Sequence, residues 1–336
     1  MLRIALDAMG GDNAPRNEID GAISALRAAN NRFEIALVGQ ERKLKSELAS
    51  KDAGRLNLSI VHAEDVVSMH DAPAAVLRTK PDSSIVRALE LHRDHVVDAF
   101  VSAGNTGAVM AASTLILGRI PGVSRPTIGS NFPNEQGVCI LLDVGASVDC
   151  KPQHLYEFAV MGSIYAAQIF NCENPKVGLL SVGEEDTKGN EVTLAAMELL
   201  RRSNLNFIGN VEGRDILKGK AEVIVCDGFT GNIVLKFAES VTGLLKKKIK
   251  DYAAESLPKK IMAGIISGPL RKILGDMDYQ KYGGVPLLGV NGVTIIGHGR
   301  STPLAISNMI LKAEEMALKK VNERIANALR PAVKQS

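Results

Sequence analysis

The feature that most constrains this chain is a series of short apolar runs: IALDA, FEIALVG, LNLSIVHA, DAFVSAG, GVCILLDVG, KVGLLSVG, NFIGNV, AEVIVCDG and VTIIGHG. Most are near-continuous rather than alternating, which is the pattern of strands buried on both faces. Stretches with helical spacing separate them, at 17–30, 40–50, 82–93, 105–118, 153–170, 190–202, 231–255 and 303–329. Alternating strands and helices predict an α/β fold, a three-layer α/β/α arrangement around a mostly parallel sheet. A length of 336 residues suffices for a large core. The whole span 1–336 reads as one unit, with a helical pair and return loop at 240–285 inside it. No fixed-period repeat or low-complexity tract interrupts it, and the closing PAVKQS is expected to fray.

The apolar runs end in DAMGGDN, SAGNTG, LDVGAS, SVGEED, CDGFTGN and GHGRST. These tips are small and polar, and most lead into a helix. In open α/β sheets ligands bind outside the carboxyl ends of the strands. The expectation is therefore one cleft, lined by all these tips at a shared rim. Gly10 and Gly11, followed by Asp12 and Asn13, let the first tip turn sharply and approach a ligand. Taken singly, any one tip is also explained by plain turn chemistry.

Several tips carry candidate site residues. In SAGNTGAVMAA, Asn105 is placed as an N-cap, and Thr106 and Gly107 open a helix whose free N–H groups suit an anion. CDGFTGNIVLK repeats this grammar at 226–236, with Thr230 or Asn232 near the helix start and Asp227 an isolated acid before it. GHGRSTPLAI does so again, with Thr302 as cap, Pro303 at the first helical position, and His298, Arg300 and Ser301 before it. SVGEEDTKGNE crowds Glu184, Glu185 and Asp186 against Lys188 and opens a helix near Asn190. Such a loop fits acid–base or charge-stabilising work, and equally a solvated capping loop. Asp143 stands alone at the end of an apolar strand, facing a ligand or capping backbone N–H groups.

Other chemistries find no support. There is no GxGxxG, HExxH or GxSxG. GRDILKGKA at 213–221 has the wrong glycine spacing for a Walker A loop and Ala where Ser or Thr belongs. His62, His70, His92, His95 and His154 read as structural or surface residues. Cys139, Cys150, Cys172 and Cys226 form no CxxC pair and have no His at metal-ligand spacing, so no metal site is expected. Cys139 and Cys226 lie inside apolar runs and read as buried thiols in a reducing compartment. A net charge of +3, aromatics at 4% and the absence of Trp argue against a nucleic-acid partner. The first residues lack a secretory-leader pattern, and no apolar run has the length of a membrane span.

One segment is strongly basic. LLKKKIKDYAAESLPKKIMAGIISGPLRKIL, residues 244–274, gathers Lys246, Lys247, Lys248, Lys250, Lys259, Lys260, Arg271 and Lys272 against Asp251 and Glu255. Pro258 breaks it into two helices. Leu257, Ile261, Met262, Ile265 and Ile266 lie at the break. The combination fits a pair lying on an anionic membrane surface, a subunit contact, or a dock for an acidic protein. It also fits a sheet-covering helix with snorkelling lysines.

Taken in order, DAMGGDNAP, SAGNTGA, LLDVGA, GEEDTKGNE, CDGFTGNIVLK, DYQKYGGVPLLGVNG and IIGHGRS resemble the bacterial acyl-ACP:phosphate acyltransferases of phospholipid synthesis, over roughly residues 3–325. The resemblance implies transfer of a long fatty acyl group from acyl carrier protein to inorganic phosphate, giving an acyl phosphate, with no cofactor. It implies a fold like that of isocitrate and isopropylmalate dehydrogenases and of phosphate acetyltransferase. It also implies a cytoplasmic homodimer, peripherally associated with the inner face of the cell membrane, with the downstream glycerol-3-phosphate acyltransferase as a further partner. On this reading Lys188, Asn232 and His298 are the catalytic candidates, with His298 a binding residue first. Gly10, Gly11, Asp12, Asn105, Thr106, Gly107, Asp143, Asn190, Asp227, Arg300 and Ser301 line the substrate and phosphate site. Lys259, Lys260, Ile261, Ile265, Ile266 and Arg271 meet the membrane or the carrier. Phosphate near neutral pH is itself nucleophilic, so no Ser or Cys nucleophile is required. Arg300 and Ser147 depart from the family pattern, which favours a small residue and Asn there. The rivals are a short-chain acyl-CoA phosphotransacylase or a dehydrogenase on the same scaffold, and a non-enzymatic basic scaffold at the membrane.

Overall fold

The computed structural model describes residues 1–275 and 283–330. Arg271 lies in a described helix, but its side chain, residues 278–282 of the DYQKYGG motif and the PAVKQS tail lie outside the described residues. The strands are β1 (Arg3–Asp7), β2 (Glu34–Gly39), β3 (Leu58–His62), β4 (Ala99–Ser102), β5 (Thr127–Asn134), β6 (Gly137–Leu142), β7 (Lys176–Leu180), β8 (Asn206–Val211), β9 (Val223–Val225), β10 (Val285–Leu288) and β11 (Val293–Ile296). The helices are α1 (Arg16–Ala28), α2 (Glu41–Leu48), α3 (Val76–Thr79), α4 (Ser84–Arg93), α5 (Thr106–Ile116), α6 (Pro152–Ile169), α7 (Glu191–Arg201), α8 (Gly213–Lys218), α9 (Gly228–Ala254), α10 (Leu257–Gly275), α11 (Pro303–Leu318) and α12 (Val321–Leu329).

All described strands join one sheet in the order β3-β2-β1-β4-β11-β10-β5-β6-β9-β7-β8. The near-continuous apolar runs are explained by what each face meets. Along β1, Ile4 and Leu6 enter one core while Ala5 enters the other. On β4, Ala99 and Val101 face one way and Phe100 the other. On β6, Ile140 and Leu142 oppose Cys139 and Leu141. Side chains α1, α6, α7, α11 and α12 contribute to the first core; α4, α5 and α8 contribute to the second. Each face of the sheet is thus covered by helices, and a strand with both faces buried must be apolar at every position. Burying one such Phe or Leu stabilises the fold by about 1.5–3 kcal/mol before entropy is subtracted.

The sheet is not uniformly parallel. β1, β2, β3, β4 and β11 are mutually parallel. β10 is antiparallel to both β11 and β5, and β5 is antiparallel to β6. β6, β9, β7 and β8 are again mutually parallel. Three antiparallel steps in the centre reverse the sense, so the second half runs opposite to the first. This corrects the expectation of one shared rim: the carboxyl ends of β1, β4 and β11 lie at one edge of the sheet, and those of β6, β7 and β9 at the other.

Two strands were not legible as apolar runs. β5, TIGSNFPN, carries Gly129, Asn131 and Pro133, yet it pairs with β6 along its length, from Gly129 opposite Leu142 to Asn134 opposite Gly137. β10 is four residues long and includes Pro286. The helix expected over 303–329 is two helices, because Lys320 takes a left-handed conformation at φ +53° and redirects the chain into α12. The rejected Walker-like stretch is the short helix α8, ended by Gly219 at φ +71°.

Helix α1 carries a buried acid in its first turn. Glu18 is 1% exposed, and neither of its carboxylate oxygens makes a hydrogen bond. Burial pushes this carboxyl up to about 7; its own N–H and that of Gly11 favour the ionised form, and the charges of Asp7 and Asp12 oppose it. A carboxyl raised in the folded state contributes stability that is present below its unfolded value, 4.5, and lost as pH rises through about 7. The melting temperature is therefore expected to fall between about pH 5 and about pH 8, and Glu18→Gln is expected to flatten that slope. Parallel melting curves for the two proteins across this range would show Glu18 to be ionised throughout.

Candidate functional site

The tips of β1, β4 and β11 are tied to one another. Asp12 N–H donates to the Gly299 carbonyl at 2.8 Å, and Gly297 N–H to the Ser102 carbonyl at 2.7 Å. Beneath them Asp7 is fully buried and accepts from Ser102 Oγ at 2.7 Å and from Met9 N–H at 3.1 Å. Burial pushes its carboxyl up, against these hydrogen bonds. A Cβ on Gly10 would lie 2.3 Å from Asp7 Oδ2 and 2.8 Å from the Gly104 nitrogen, so no side chain fits there. Asp12 is exposed, and Gly11 lies over Glu18. Three acids thus surround the β1 tip, an unfavourable setting for a phosphate dianion.

Asn105 is an N-cap as expected, accepting from Ala108 N–H at 3.1 Å. Its Nδ2 also donates to the carbonyls of Ser68, Met69 and Asp71 at 3.1–3.3 Å. The side chain is therefore committed to the fold, and what α5 offers a ligand is the backbone at Thr106 and Gly107. His298 and Arg300 are exposed, with Arg300 N–H donating to His298 Nδ1 at 3.2 Å. Ser301 is buried; its N–H donates to the His298 carbonyl at 2.8 Å and its carbonyl accepts from Asn17 Nδ2 at 2.9 Å.

The tips of β6, β7 and β9 form the second group. Asp143 is fully buried, and its carboxylate accepts from the N–H groups of Ile128, Gly145, Ala146 and Ser147 at 2.6–3.3 Å. Burial pushes this carboxyl up while those donors favour its charge. The first turn of α9 sits directly on this tip. Gly228 N–H donates to the Ser147 carbonyl at 2.9 Å, and a Cβ on Gly231 would lie 1.9 Å from the Asp143 carbonyl oxygen. Asp227 caps α9, accepting from Thr230 N–H at 2.9 Å and Thr230 Oγ1 at 2.7 Å. Asn190 caps α7, accepting from Thr193 N–H at 2.9 Å.

These two helix starts converge on a pocket of about 410 Å³. Its polar wall is Asn190, Thr193, Asp227 and Thr230; its apolar wall is Val148, Leu155, Val192 and Phe229, with Cys150 and Asp149 beside them. The N–H groups of Thr193 and Thr230 are taken by these caps and that of Gly228 by the Ser147 carbonyl, so what favours an anion here is chiefly the positive end of the two helix dipoles. Burial pushes the Cys150 thiol up to about 11, so it is protonated at neutral pH and is no ready nucleophile. Cys139 and Cys226 are buried, as expected.

Lys188 is exposed on the loop after β7. Its carbonyl accepts from Ser181 Oγ and from Asn210 Nδ2, both at 3.2 Å, so the backbone beneath the amine is fixed while the side chain is free to reach. Asn232 is exposed in the first turns of α9, facing Gly145, where an added Cβ would lie 3.5 Å from its side chain. The structure therefore brings Asp143, Asn190, Asp227 and Asn232 to one group, and Gly10, Gly11, Asp12, Asn105, His298, Arg300 and Ser301 to the other. Sequence reasoning missed Asp7, Glu18 and Asn210. Asp7 and Asn210 are polar positions within strands, and a polar residue inside an otherwise buried strand was the available signal.

On α9, Phe229, Ile233, Phe237 and Leu244 fall on one stripe and are all exposed, Phe237 at 69%. α10 packs back on α9 after a break at 255–256, with Pro258 in the first turn of α10 rather than at the break itself. Lys259 pairs with Glu255 and lies 4.9 Å above the Tyr252 ring. Lys260, Ile261, Ile265 and Ile266 are exposed. Among the described residues no helix is long and apolar enough to cross a membrane.

The family described as "Fatty acid synthesis protein" matches residues 2–324. A phosphate acyltransferase from Pelotomaculum thermopropionicum is 50% identical over 328 residues, covering 98% of this chain and 95% of that protein. One from Chlorobaculum parvum is 47% identical over 338 residues, covering 98% and 99%. Among solved structures, a phosphotransacetylase from Streptococcus pyogenes matches with a TM-score of 0.61 at 16% identity, over 94% of each chain. A phosphotransacetylase from Staphylococcus aureus matches at 0.59 and 16%, again over 94% of each. At that identity the shared property is the fold, a mixed sheet between helical layers. Matched along nearly its whole length by the family and by these phosphate acyltransferases, the chain belongs to the fatty acid synthesis protein family.

Proposed function

We propose that this protein is a phosphate acyltransferase that moves a long-chain acyl group from acyl carrier protein to inorganic phosphate, with the chemistry in the pocket between α7 and α9. The observation that carries the site is the convergence of two capped helix starts on a cavity with one polar and one apolar wall. Phosphate fits at the polar wall, where backbone N–H groups and helix dipoles favour an anion. The acyl chain fits along Val148, Leu155 and Phe229.

In the reaction a phosphate oxygen attacks the thioester carbonyl. A C–O bond forms, negative charge gathers on the carbonyl oxygen, and the C–S bond then breaks to release the carrier thiolate. The charge is held by first-turn N–H groups, with the Asn232 amide beside them, and Lys188 neutralises phosphate or polarises the carbonyl. A thiolate leaves without a general acid, so the reaction in this pocket needs no proton from His298, which stands with Arg300 and Ser301 in the other group of tips. No acyl-enzyme forms, in keeping with the protonated Cys150.

The exposed stripe on α9 beyond the pocket, Ile233, Phe237 and Leu244, is the contact for a second copy of the chain, and the basic, apolar α10 meets an anionic membrane or the acidic carrier. That arrangement makes the protein a homodimer held peripherally at the membrane, where the product is handed to the glycerol-3-phosphate acyltransferase.

Lys188→Ala is expected to lower phosphate-dependent release of carrier thiol from palmitoyl-carrier by about 100-fold, the scale of one lost charge-stabilising donor. Wild-type turnover in that variant would remove the residue from the site, and turnover of short acyl-CoA without turnover of the carrier substrate would favour the rival enzyme. In flotation with anionic liposomes the native protein is expected to rise with the lipid and Ile265→Glu/Ile266→Glu to stay below. Equal behaviour of the two would end the membrane assignment. Phe237→Glu is expected to shift the sedimentation coefficient from dimer to monomer.

A further inference from the structure

The pocket between α7 and α9 is lined by two carboxylates, Asp149 and Asp227, and by no cation. A phosphate dianion bound there needs positive charge from nearby. We propose that Arg125 is the residue that holds phosphate in this pocket, and that Glu157 is its positioning residue, acting through Ser124. This inference rests on the acyl-transfer reading above and adds to it a phosphate ligand that the sequence did not single out.

Arg125 lies on the loop between α5 and β5, and that loop is pinned on both sides of it. On one side, Ser124 donates twice to the buried carboxylate of Glu157 on α6: its N–H to Oε2 at 2.7 Å and its hydroxyl to Oε1 at 2.8 Å. Gln153 Nε2 steadies the same carboxylate at 3.3 Å, and Arg119 donates to the Ser124 carbonyl. On the other side, Ile128 N–H donates to the Asp143 carboxylate at 3.3 Å, and its carbonyl accepts from Val144 N–H at 3.1 Å. Arg125 is thereby held between the start of α6 and the β6 tip, whose loop supplies Val148, Asp149 and Cys150 to the pocket.

Electrostatics agree with this placement. Burial dominates the shifts of the Cys150 thiol and the His154 imidazole, and the Arg125 charge acts on both. Cys150 lines the pocket and His154 adjoins Leu155, which also lines it. Arg125 is exposed and has no ion-pair partner among the described residues. An unpaired guanidinium on a braced loop offers a fork of donors that matches phosphate oxygens. The two hydrogen bonds to Glu157 fix where that fork is presented without Glu157 touching the substrate.

The test compares native protein with Arg125→Ala, Arg125→Lys and Glu157→Gln in phosphate-dependent thiol release from palmitoyl-carrier, alongside calorimetric titration with inorganic phosphate. The KM for phosphate is expected to rise about 10- to 100-fold in Arg125→Ala, as befits one lost charge-assisted contact, with the KM for palmitoyl-carrier unchanged. Arg125→Lys should recover part of the loss. Glu157→Gln should raise the phosphate KM by a smaller factor and leave the carrier KM alone, a split that general destabilisation would not produce. An unchanged phosphate KM and an unchanged calorimetric affinity in Arg125→Ala would overturn the inference while native turnover still upholds the reaction. Native protein that binds phosphate through Arg125 but releases no carrier thiol would instead overturn the reaction and leave the phosphate ligand standing.

Discussion

The structure turns on the carboxylate of Asp143. It is buried at the point where the chain reverses the sense of the sheet, and it accepts from four backbone N–H groups. One of these belongs to β5 and three to the loop after β6, so a single side chain clamps both strands of the antiparallel hairpin to the tip that follows. A buried carboxylate with four donors is stable only if all of them stay in place, because each lost bond leaves a charge in a low-dielectric interior. α9 then packs on the same tip so closely that Gly231 tolerates no side chain. The position of the α9 N-terminus, and with it the pocket, follows from this clamp.

The reversal also shapes how charge is distributed. At the edge formed by β1, β4 and β11 Asp7 and Glu18 are buried acids with Asp12 above them, and exposed His298 and Arg300 stand at the same edge. At the edge formed by β6, β7 and β9, Asp143 is held by four N–H groups and Asp227 caps α9, while Asp149 lines the pocket beside them. The two sets of glycine-rich tips, similar in sequence, thus differ in what their acids do: at the first edge they lie buried close to one another, at the second they hold backbone.

Much of this was legible beforehand. The strands with both faces buried declared themselves as unbroken apolar runs, and the caps at Asn105, Asn190 and Thr302 were visible as small polar residues before helical spacing, whereas α9 starts earlier than its spacing suggested, at Gly228 behind the Asp227 cap. β5 and β10 were not, because an antiparallel strand at the switch in the sheet is recruited by its partners and does not need a run of its own. The break before α12 was hidden for a similar reason: Lys320 has no intrinsic preference for a left-handed backbone and takes it only because α12 must turn back to pack on α6. Asn105 was recognised by position, yet its three additional carbonyl acceptors come from a loop more than thirty residues earlier in the chain.

By itself the sequence determined the layers, the helix starts and the family, because these follow from local periodicity, capping chemistry and motifs read in order. Only the tertiary structure decided which tips share a site. Strand direction is set by how β5 and β10 pair across the middle of the sheet, a contact between segments about 160 residues apart in the chain, from Ile128 to Leu287. Hydrogen bonds between distant strands have no signature in either segment alone, so the grouping of Asp143, Asn190 and Asp227 emerges only when the chain is folded.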